Sequence, residues 1–145
     1  MKKVSLFILL IVAAFGVGVL VTSKPSSGNS DIKVLGEQQA YSHLTPDQFN
    51  SGLSSGKYTL LDIRTAEEYQ AGHLVNAKQI DYYQTQQFSD YLDALNKDNK
   101  YLIYCRTGHR SGLALQIMQN KGFKNVSDMA GGYNAWVAEN LTIEK

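Results

Sequence analysis

The sequence has few of the residues that build metal centres and dithiol sites. It contains one cysteine, Cys105, and three histidines that are scattered along the chain. This set does not provide the ligands of a typical metal site, and nothing in the sequence implies a metal or an organic cofactor. A disulfide reductase is also disfavoured, because no second cysteine exists to resolve a mixed disulfide.

Excess charge of either sign is also missing. The chain has 14 Lys and Arg residues against 13 Asp and Glu residues, which gives a formal net charge of +1. This balance offers no argument for nucleic acid or any other highly charged partner. With 145 residues, of which 43% are hydrophobic and 19% charged, the chain has a globular composition and room for one domain.

The N-terminal region has a composition of its own. Lys2 and Lys3 precede an apolar run, Val4–Val21, in which Ser5 is the only polar side chain. The run has no polar face, so an internal core helix is a poor interpretation. We expect residues 1–23 to be either a signal peptide or a membrane anchor.

A polar segment over residues 24–40 follows, and its serine, glycine and proline content predicts a flexible linker. The folded domain is then expected over residues 41–145. Because the basic end of such a leader stays in the cytoplasm, the domain should be exported. It would be periplasmic or otherwise extracytoplasmic, either secreted or held at the membrane through residues 4–21 if that segment is not cleaved.

The residues around the cysteine predict a strand, a loop and a helix. Tyr101–Tyr104 is a short apolar and aromatic run that suits a strand covered on both faces. Ser111 is a candidate for the N-cap or first turn of the following helix. Ligand sites in parallel sheets lie at the carboxyl ends of strands, where the next helix begins with unpaired N–H groups. The loop between them is therefore expected to form an anion-binding cradle.

Cys105 has unusual neighbours for a packing residue. Arg106, His109 and Arg110 are potential cations, and Gly108 permits a tight turn. An electropositive loop of this kind should favour the thiolate form of the cysteine, which is the nucleophilic form. The alternatives are that Cys105 is a small buried hydrophobe and that His109 is merely a solvated polar residue.

The remaining chain alternates between predicted strands and helices. This order favours an α/β fold, with a central, mostly parallel sheet of about five strands and helices on both faces. Asp62 and Arg64 end one strand, at the same sheet edge as Cys105. Thr65 and Glu68 form a capping box for the next helix, on which Glu68 is otherwise expected to face solvent.

Tyrosines are frequent in the middle of the chain, at positions 82, 83 and 91 among others. They could line the entrance to a substrate site, but aromatic side chains dominate protein cores, so packing is the favoured interpretation.

Three stretches resemble the motifs of rhodanese-like domains, the sulfurtransferases. Cys105–Ser111 is similar to the family's active-site loop, Leu60–Leu74 to its early strand-and-helix motif, and Met129–Trp136 to its closing motif. Val75 and Asn76 depart from the family, which usually has a proline-glycine pair there. The departure concerns the local turn, since asparagine tolerates the left-handed conformation.

The resemblance implies a rhodanese-type sulfurtransferase. Such an enzyme moves sulfane sulfur from thiosulfate or a related persulfide donor to a thiol or cyanide, through a persulfide on Cys105. A protein is also possible as the sulfur acceptor. The expected binding residues for the small anionic donor are Arg106, Thr107, Gly108, His109, Arg110 and Ser111. The resemblance implies that Asp62 supports the architecture of the loop. We expect the same supporting role for Arg64.

Two other functions remain open. Phosphatases of related fold place five residues between their cysteine and arginine, whereas four separate Cys105 from Arg110 here, which disfavours both phosphatase and arsenate reductase chemistry. The shorter loop suits a sulfur atom better than a tetrahedral phosphate. An exported, non-catalytic sulfur carrier or binding module is the stronger alternative, because fold and motif do not fix turnover.

Overall fold

The computed structural model describes residues 40–145, in which five strands alternate with five helices. The strands are β1 (Ala40–Leu44), β2 (Thr59–Asp62), β3 (Lys78–Gln79), β4 (Lys100–Tyr104) and β5 (Asn125–Met129). The helices are α1 (Pro46–Ser54), α2 (Ala66–Gln70), α3 (Thr85–Ala94), α4 (His109–Asn120) and α5 (Gly132–Ala138). The predicted α/β class is confirmed.

The five strands form one sheet in the order β1-β5-β4-β2-β3, and every pairing between them is parallel. Strand β4 lies at the centre, between β5 and β2. Since all strands run the same way, their carboxyl ends share one edge of the sheet. That edge carries Cys105, directly after β4, and Asp62, which ends β2.

Helices cover both faces of the sheet, as the alternation of buried side chains along β4 shows. Tyr101 and Ile103 pack in one core with side chains from α3 and α4. Leu102 and Tyr104 point to the other core, which includes residues of α1 and α5. Each large side chain that is fully buried stabilises the fold by about 1.5–3 kcal/mol.

Two helices begin with the capping boxes that the sequence offers. Thr45 accepts a hydrogen bond from the N–H of Gln48, whose side chain accepts one from the N–H of Thr45, with Pro46 at the first helical position. Thr65 and Glu68 make the same reciprocal pair at the start of α2. These local bonds satisfy N–H groups that a helix start leaves unpaired.

The turn at Val75 and Asn76, where the sequence departs from the family pattern, has the left-handed residue that we expect. Asn76 has a φ of 63°, in the left-handed region that glycine usually occupies. The turn leads into β3, the short strand at the edge of the sheet.

Strand β1 begins at Ala40, the last residue that we assigned to the linker. The predicted signal peptide or anchor at residues 1–23 lies outside the described residues, as does the rest of the linker. Between residues 40 and 145, no helix has both the length and the apolar character to cross a membrane.

Candidate active site

The cysteine loop runs from the end of β4 to the start of α4. Cys105 follows Tyr104, the last residue of β4, and α4 begins at His109 with Gly108 as its N-cap. Gly108 has a φ of 91°, a conformation that L-residues with side chains rarely adopt. The loop is thus a tight turn that ends at a helix N-terminus, as predicted.

A second glycine turn supports the loop from behind. A side chain at Gly132 would collide with the backbone of Cys105 and Arg106. The N–H of Tyr133 donates to the Cys105 carbonyl at 2.8 Å, and the N–H of Asn134 donates to the Arg106 carbonyl at 3.0 Å. In a trans peptide the N–H points opposite to the carbonyl, so the N–H groups of these two peptides point away from α5.

The thiol of Cys105 lies under this loop. Its Sγ accepts a hydrogen bond from the N–H of Gly108 at 3.2 Å. The residue has no surface open to solvent. Sγ is therefore shielded from solvent in this conformation.

Arg110 is held in place by a carboxylate from α2. Its two terminal nitrogens donate to the two carboxylate oxygens of Glu68, each at 2.9 Å. The guanidinium also lies 5.1 Å from the ring centre of Tyr83. The expectation that Glu68 faces solvent is wrong, because this carboxylate is partly buried against Arg110.

The pairing has an electrostatic consequence for Glu68. Burial by itself would raise the pKa of this carboxyl group. The hydrogen bonds from Arg110 and from the N–H of Thr65, together with the charge of Arg110, outweigh burial and lower the pKa below its ordinary value. The carboxylate is therefore ionised at neutral pH and neutralises part of the charge of Arg110.

An open depression of about 370 Å³ lies beside the loop. Its lining residues are Glu68, Tyr83, Arg106, Thr107, His109 and Arg110. Tyr83 is 63% exposed, so packing does not explain it, whereas Tyr82 and Tyr91 pack against the core. Within residues 40–145, no three His, Cys, Asp or Glu side chains are grouped to hold a metal ion.

Asp62 and Arg64 form a buried cluster at the neighbouring strand end. The Arg64 side chain donates to both carboxylate oxygens of Asp62 and, at 2.7 Å, to the carbonyl of Gly72. Its guanidinium stacks over Tyr133, 4.0 Å from the ring centre. The hydroxyl of Tyr104 also donates to Asp62, and burial next to this carboxylate raises the pKa of Tyr104.

Ser111 turns inward instead of toward the depression. It is completely buried, and its Oγ lies 3.1 Å from the Gly108 carbonyl and 2.8 Å from a carboxylate oxygen of Asp128. Its hydroxyl is therefore engaged within the protein. Any contact of Ser111 with a donor would have to come from its backbone.

The comparison with known proteins identifies the family. The family model for the rhodanese-like domain matches residues 45–139. The chain belongs to the rhodanese-like family. A rhodanese-like domain protein from Staphylococcus aureus, of known crystal structure, is 31% identical with a TM-score of 0.60, over 73% of this chain and 100% of that one.

Two curated relatives show how far the similarity extends. A tRNA uridine(34) hydroxylase of Chlamydia trachomatis is 31% identical over 99 residues, which cover 65% of this chain but 30% of the relative. The Bacillus subtilis protein YqhL is 28% identical over 100 residues, which cover 69% of this chain and 75% of YqhL. This chain thus spans about a third of the hydroxylase that it matches.

The three rhodanese-like motifs meet at one edge of the sheet. The early motif supplies the Asp62–Arg64 cluster and Glu68, and the closing motif supplies the glycine turn behind Cys105. Sequence reasoning missed the pairing of Glu68 with Arg110 and the contacts of Asp128, and the packing that it favoured for Tyr83 is wrong, because this side chain is exposed. No local sequence signal marks these contacts, since each depends on elements far apart in the chain.

Proposed function

We propose that this rhodanese-like domain is a sulfurtransferase. It moves sulfane sulfur from thiosulfate or a related persulfide donor to a thiol or cyanide through a persulfide on Cys105. The observation that carries the proposal is the hydrogen bond from the Gly108 N–H to Sγ, in a loop flanked by Arg110. Such a donor stabilises a sulfur anion where it must form.

In the first step, the Cys105 thiolate attacks the outer sulfur of thiosulfate. A new S–S bond forms, the bond to the sulfonate sulfur breaks, and sulfite leaves with the electron pair. Both the donor and sulfite are anions, so Arg110 and the exposed Arg106 would attract the first and stabilise the second. Because Sγ is buried, this step requires the groups around it to open a path to the sulfur.

In the second step, an acceptor thiolate or cyanide attacks the terminal sulfur of the persulfide. The acceptor leaves as a persulfide or as thiocyanate, and the electron pair of the broken S–S bond returns to Cys105 as thiolate. No external oxidant or reductant enters the cycle. The N–H groups of the loop would hold the persulfide anion between the two steps.

A sulfur carrier is the second candidate. The complete burial of Cys105 favours it, because a shielded persulfide would be protected from small acceptors and released to a docked protein.

In either case we propose that the domain acts outside the cytoplasm, on the basis of the apolar run in residues 1–23.

Steady-state turnover by the purified full-length chain tests the proposal. Thiosulfate and a low-molecular-weight persulfide serve as donors, and cyanide and a small thiol as acceptors. Wild type should turn over with at least one pair, and Cys105→Ser should fall to the uncatalysed rate because the nucleophile is gone. Turnover that is equal in the two proteins would contradict the proposal.

A further inference from the structure

Asp128 is a buried carboxyl group that no step of the proposed reaction uses. It lies in β5 and is 1% exposed. Its Oδ1 is 2.6 Å from Nδ1 of His43, the residue paired with it in β1. Its Oδ2 is 2.8 Å from Oγ of Ser111, in the first turn of α4. Both oxygens are thus engaged by other elements of the fold.

Ser111 connects this carboxyl group to the cysteine loop. Its Oγ lies 3.1 Å from the carbonyl of Gly108, which also accepts the N–H of Gly112 at 2.9 Å. The N–H of the same Gly108 donates to Sγ of Cys105. A glycine at positive φ has wide conformational freedom, so its orientation depends on what holds its carbonyl.

The proton count is consistent with one continuous chain of hydrogen bonds. The Ser111 hydroxyl has a single proton but two oxygen neighbours. Its proton is therefore shared between the Asp128 carboxyl group and the Gly108 carbonyl, so that Oγ links the two groups. Burial raises the pKa of Asp128, although the hydrogen bonds with Ser111 and His43 oppose this change.

We propose that Asp128 is a positioning residue for Cys105. It fixes Ser111, Ser111 fixes Gly108, and the Gly108 N–H is thereby kept on the sulfur. The ring of His43, whose side chain is 68% exposed, contacts the carboxyl group from the solvent side. The effect on sulfur transfer rests on the proposed function, but the effect on the thiol itself does not.

Four variants of the full-length chain test the proposal: Asp128→Ala, Ser111→Ala, their double variant and Asp128→Asn. Two rates are measured for each, namely persulfide formation from a sulfane donor and alkylation of Cys105 by iodoacetamide. Thermal unfolding shows whether each variant is folded. The alkylation rate reports on the thiol without any reference to sulfur transfer.

Persulfide formation should slow about tenfold in Asp128→Ala and in Ser111→Ala. This is less than the 100-fold or more that follows direct loss of a donor to an anion, because here the donor is misplaced and not removed. The double variant should be no slower than either single variant, since both act through one chain. Asp128→Asn should stay within about threefold of wild type, because an amide can accept from His43 and donate to Ser111. The rate of alkylation of Cys105 should also change in Asp128→Ala and in Ser111→Ala. In Asp128→Asn it should return to the wild-type rate.

Ser127→Ala is the matched control. Ser127 is the neighbour of Asp128 in β5, and its hydroxyl pairs with Ser42 of β1 at 2.8 Å without a link to the loop. This variant removes a hydroxyl from the same strand pair and should leave both rates within about twofold of wild type, because this hydroxyl is bonded to Ser42 and not to Ser111 or Gly108.

Three results would overturn the proposal: an Asp128→Asn variant as slow as Asp128→Ala, additive losses in the double variant, or an equal loss in Ser127→Ala. If Asp128→Ala does not fold, the rates of the other two variants decide. A slow Ser111→Ala together with a near wild-type rate in Asp128→Asn supports the proposal, and any other combination of these two results overturns it. If wild type forms no persulfide from any donor, the proposed function fails, and the alkylation rates alone decide the role of Asp128.

Discussion

Two arginines at the same sheet edge are used in different ways. Arg64 is 2% exposed, donates to Asp62 and Gly72, and stacks over Tyr133. Arg110 has one carboxylate partner, Glu68, and lines the open depression beside Cys105. The first arginine is surrounded by partners inside the protein, whereas the second has fewer partners and lines the depression beside Cys105.

The contrast shows that charge near an active site does not by itself identify a binding residue. Both arginines are largely buried, at 2% exposure for Arg64 and 8% for Arg110, and what separates them is the number of their partners and which of them lies beside the Cys105 loop. Arg64 therefore has the environment of a residue that builds the loop support, and Arg110 that of a residue that can meet a donor. Substitutions at each arginine should consequently change different observables.

The largest effect is expected from Arg64→Ala, and it should be on stability. The change leaves the buried carboxylate of Asp62 without its cation, which typically costs about 3–5 kcal/mol in the free energy of unfolding. Urea unfolding measures this loss. The double variant Asp62→Asn/Arg64→Met removes both charges together and should recover much of it. A loss below about 1 kcal/mol in Arg64→Ala would mean that this cluster does not hold the edge of the sheet.

Arg110→Ala should mainly affect the use of an anionic donor. We expect kcat/KM for thiosulfate to fall by about 10- to 100-fold, in line with the loss of a charge-assisted contact. The free energy of unfolding should fall by less than in Arg64→Ala, because the Glu68 carboxylate left without its cation is 24% exposed, whereas that of Asp62 is fully buried.

Lys121→Ala is the control for Arg110→Ala. Lys121 follows the other end of α4 and pairs with Asp93 at the surface. It should leave kcat/KM unchanged. If Arg110→Ala loses stability as severely as Arg64→Ala while kcat/KM is preserved, the distinction between the two arginines is wrong.

Glu68→Gln should have the smallest effect. It should strengthen the binding of thiosulfate, whereas Arg110→Ala should weaken it. The variant removes the charge that neutralises Arg110 and keeps an oxygen for the Thr65 cap, so KM for thiosulfate should fall a few-fold. Glu67→Gln makes the same change in net charge on an exposed side chain and is the matched control. An equal drop in KM for both variants would assign the effect to net charge alone.

The same variant gives a pH test with a definite sign. The folded-state pKa of Glu68 is lowered, so its contribution to stability is present above the unfolded glutamate pKa of about 4.3 and is lost as the pH falls through the folded value. The stability difference between wild type and Glu68→Gln should therefore be largest near neutral pH and shrink below about pH 4. Urea unfolding at several pH values measures it, and a difference that grows in acid would contradict the pairing.

The part of the site that the sequence predicted is the part built by neighbours in the chain. The apolar run before Cys105, the glycine in the loop and the helix after it are consecutive, and so their order predicts a turn at a sheet edge. The Thr65 capping box is equally local, with partners three residues apart.

What the sequence could not predict depends on pairing across the fold. Glu68 and Arg110 are 42 residues apart, and their contact requires that α2 and α4 begin at the same edge of the sheet. Asp128 meets His43 because β5 pairs with β1, which no local pattern encodes. The close approach of the Gly132 turn to the backbone of the cysteine loop is likewise a contact between distant parts of the chain.

The most direct test of a persulfide on Cys105 is the intact mass of the full-length chain after incubation with thiosulfate, with Cys105→Ser in parallel. The account predicts that wild type alone gains the mass of one sulfur atom, and that added cyanide removes it as thiocyanate. If neither thiosulfate nor a low-molecular-weight persulfide adds sulfur to a folded protein whose Cys105 can still be alkylated, the account is contradicted.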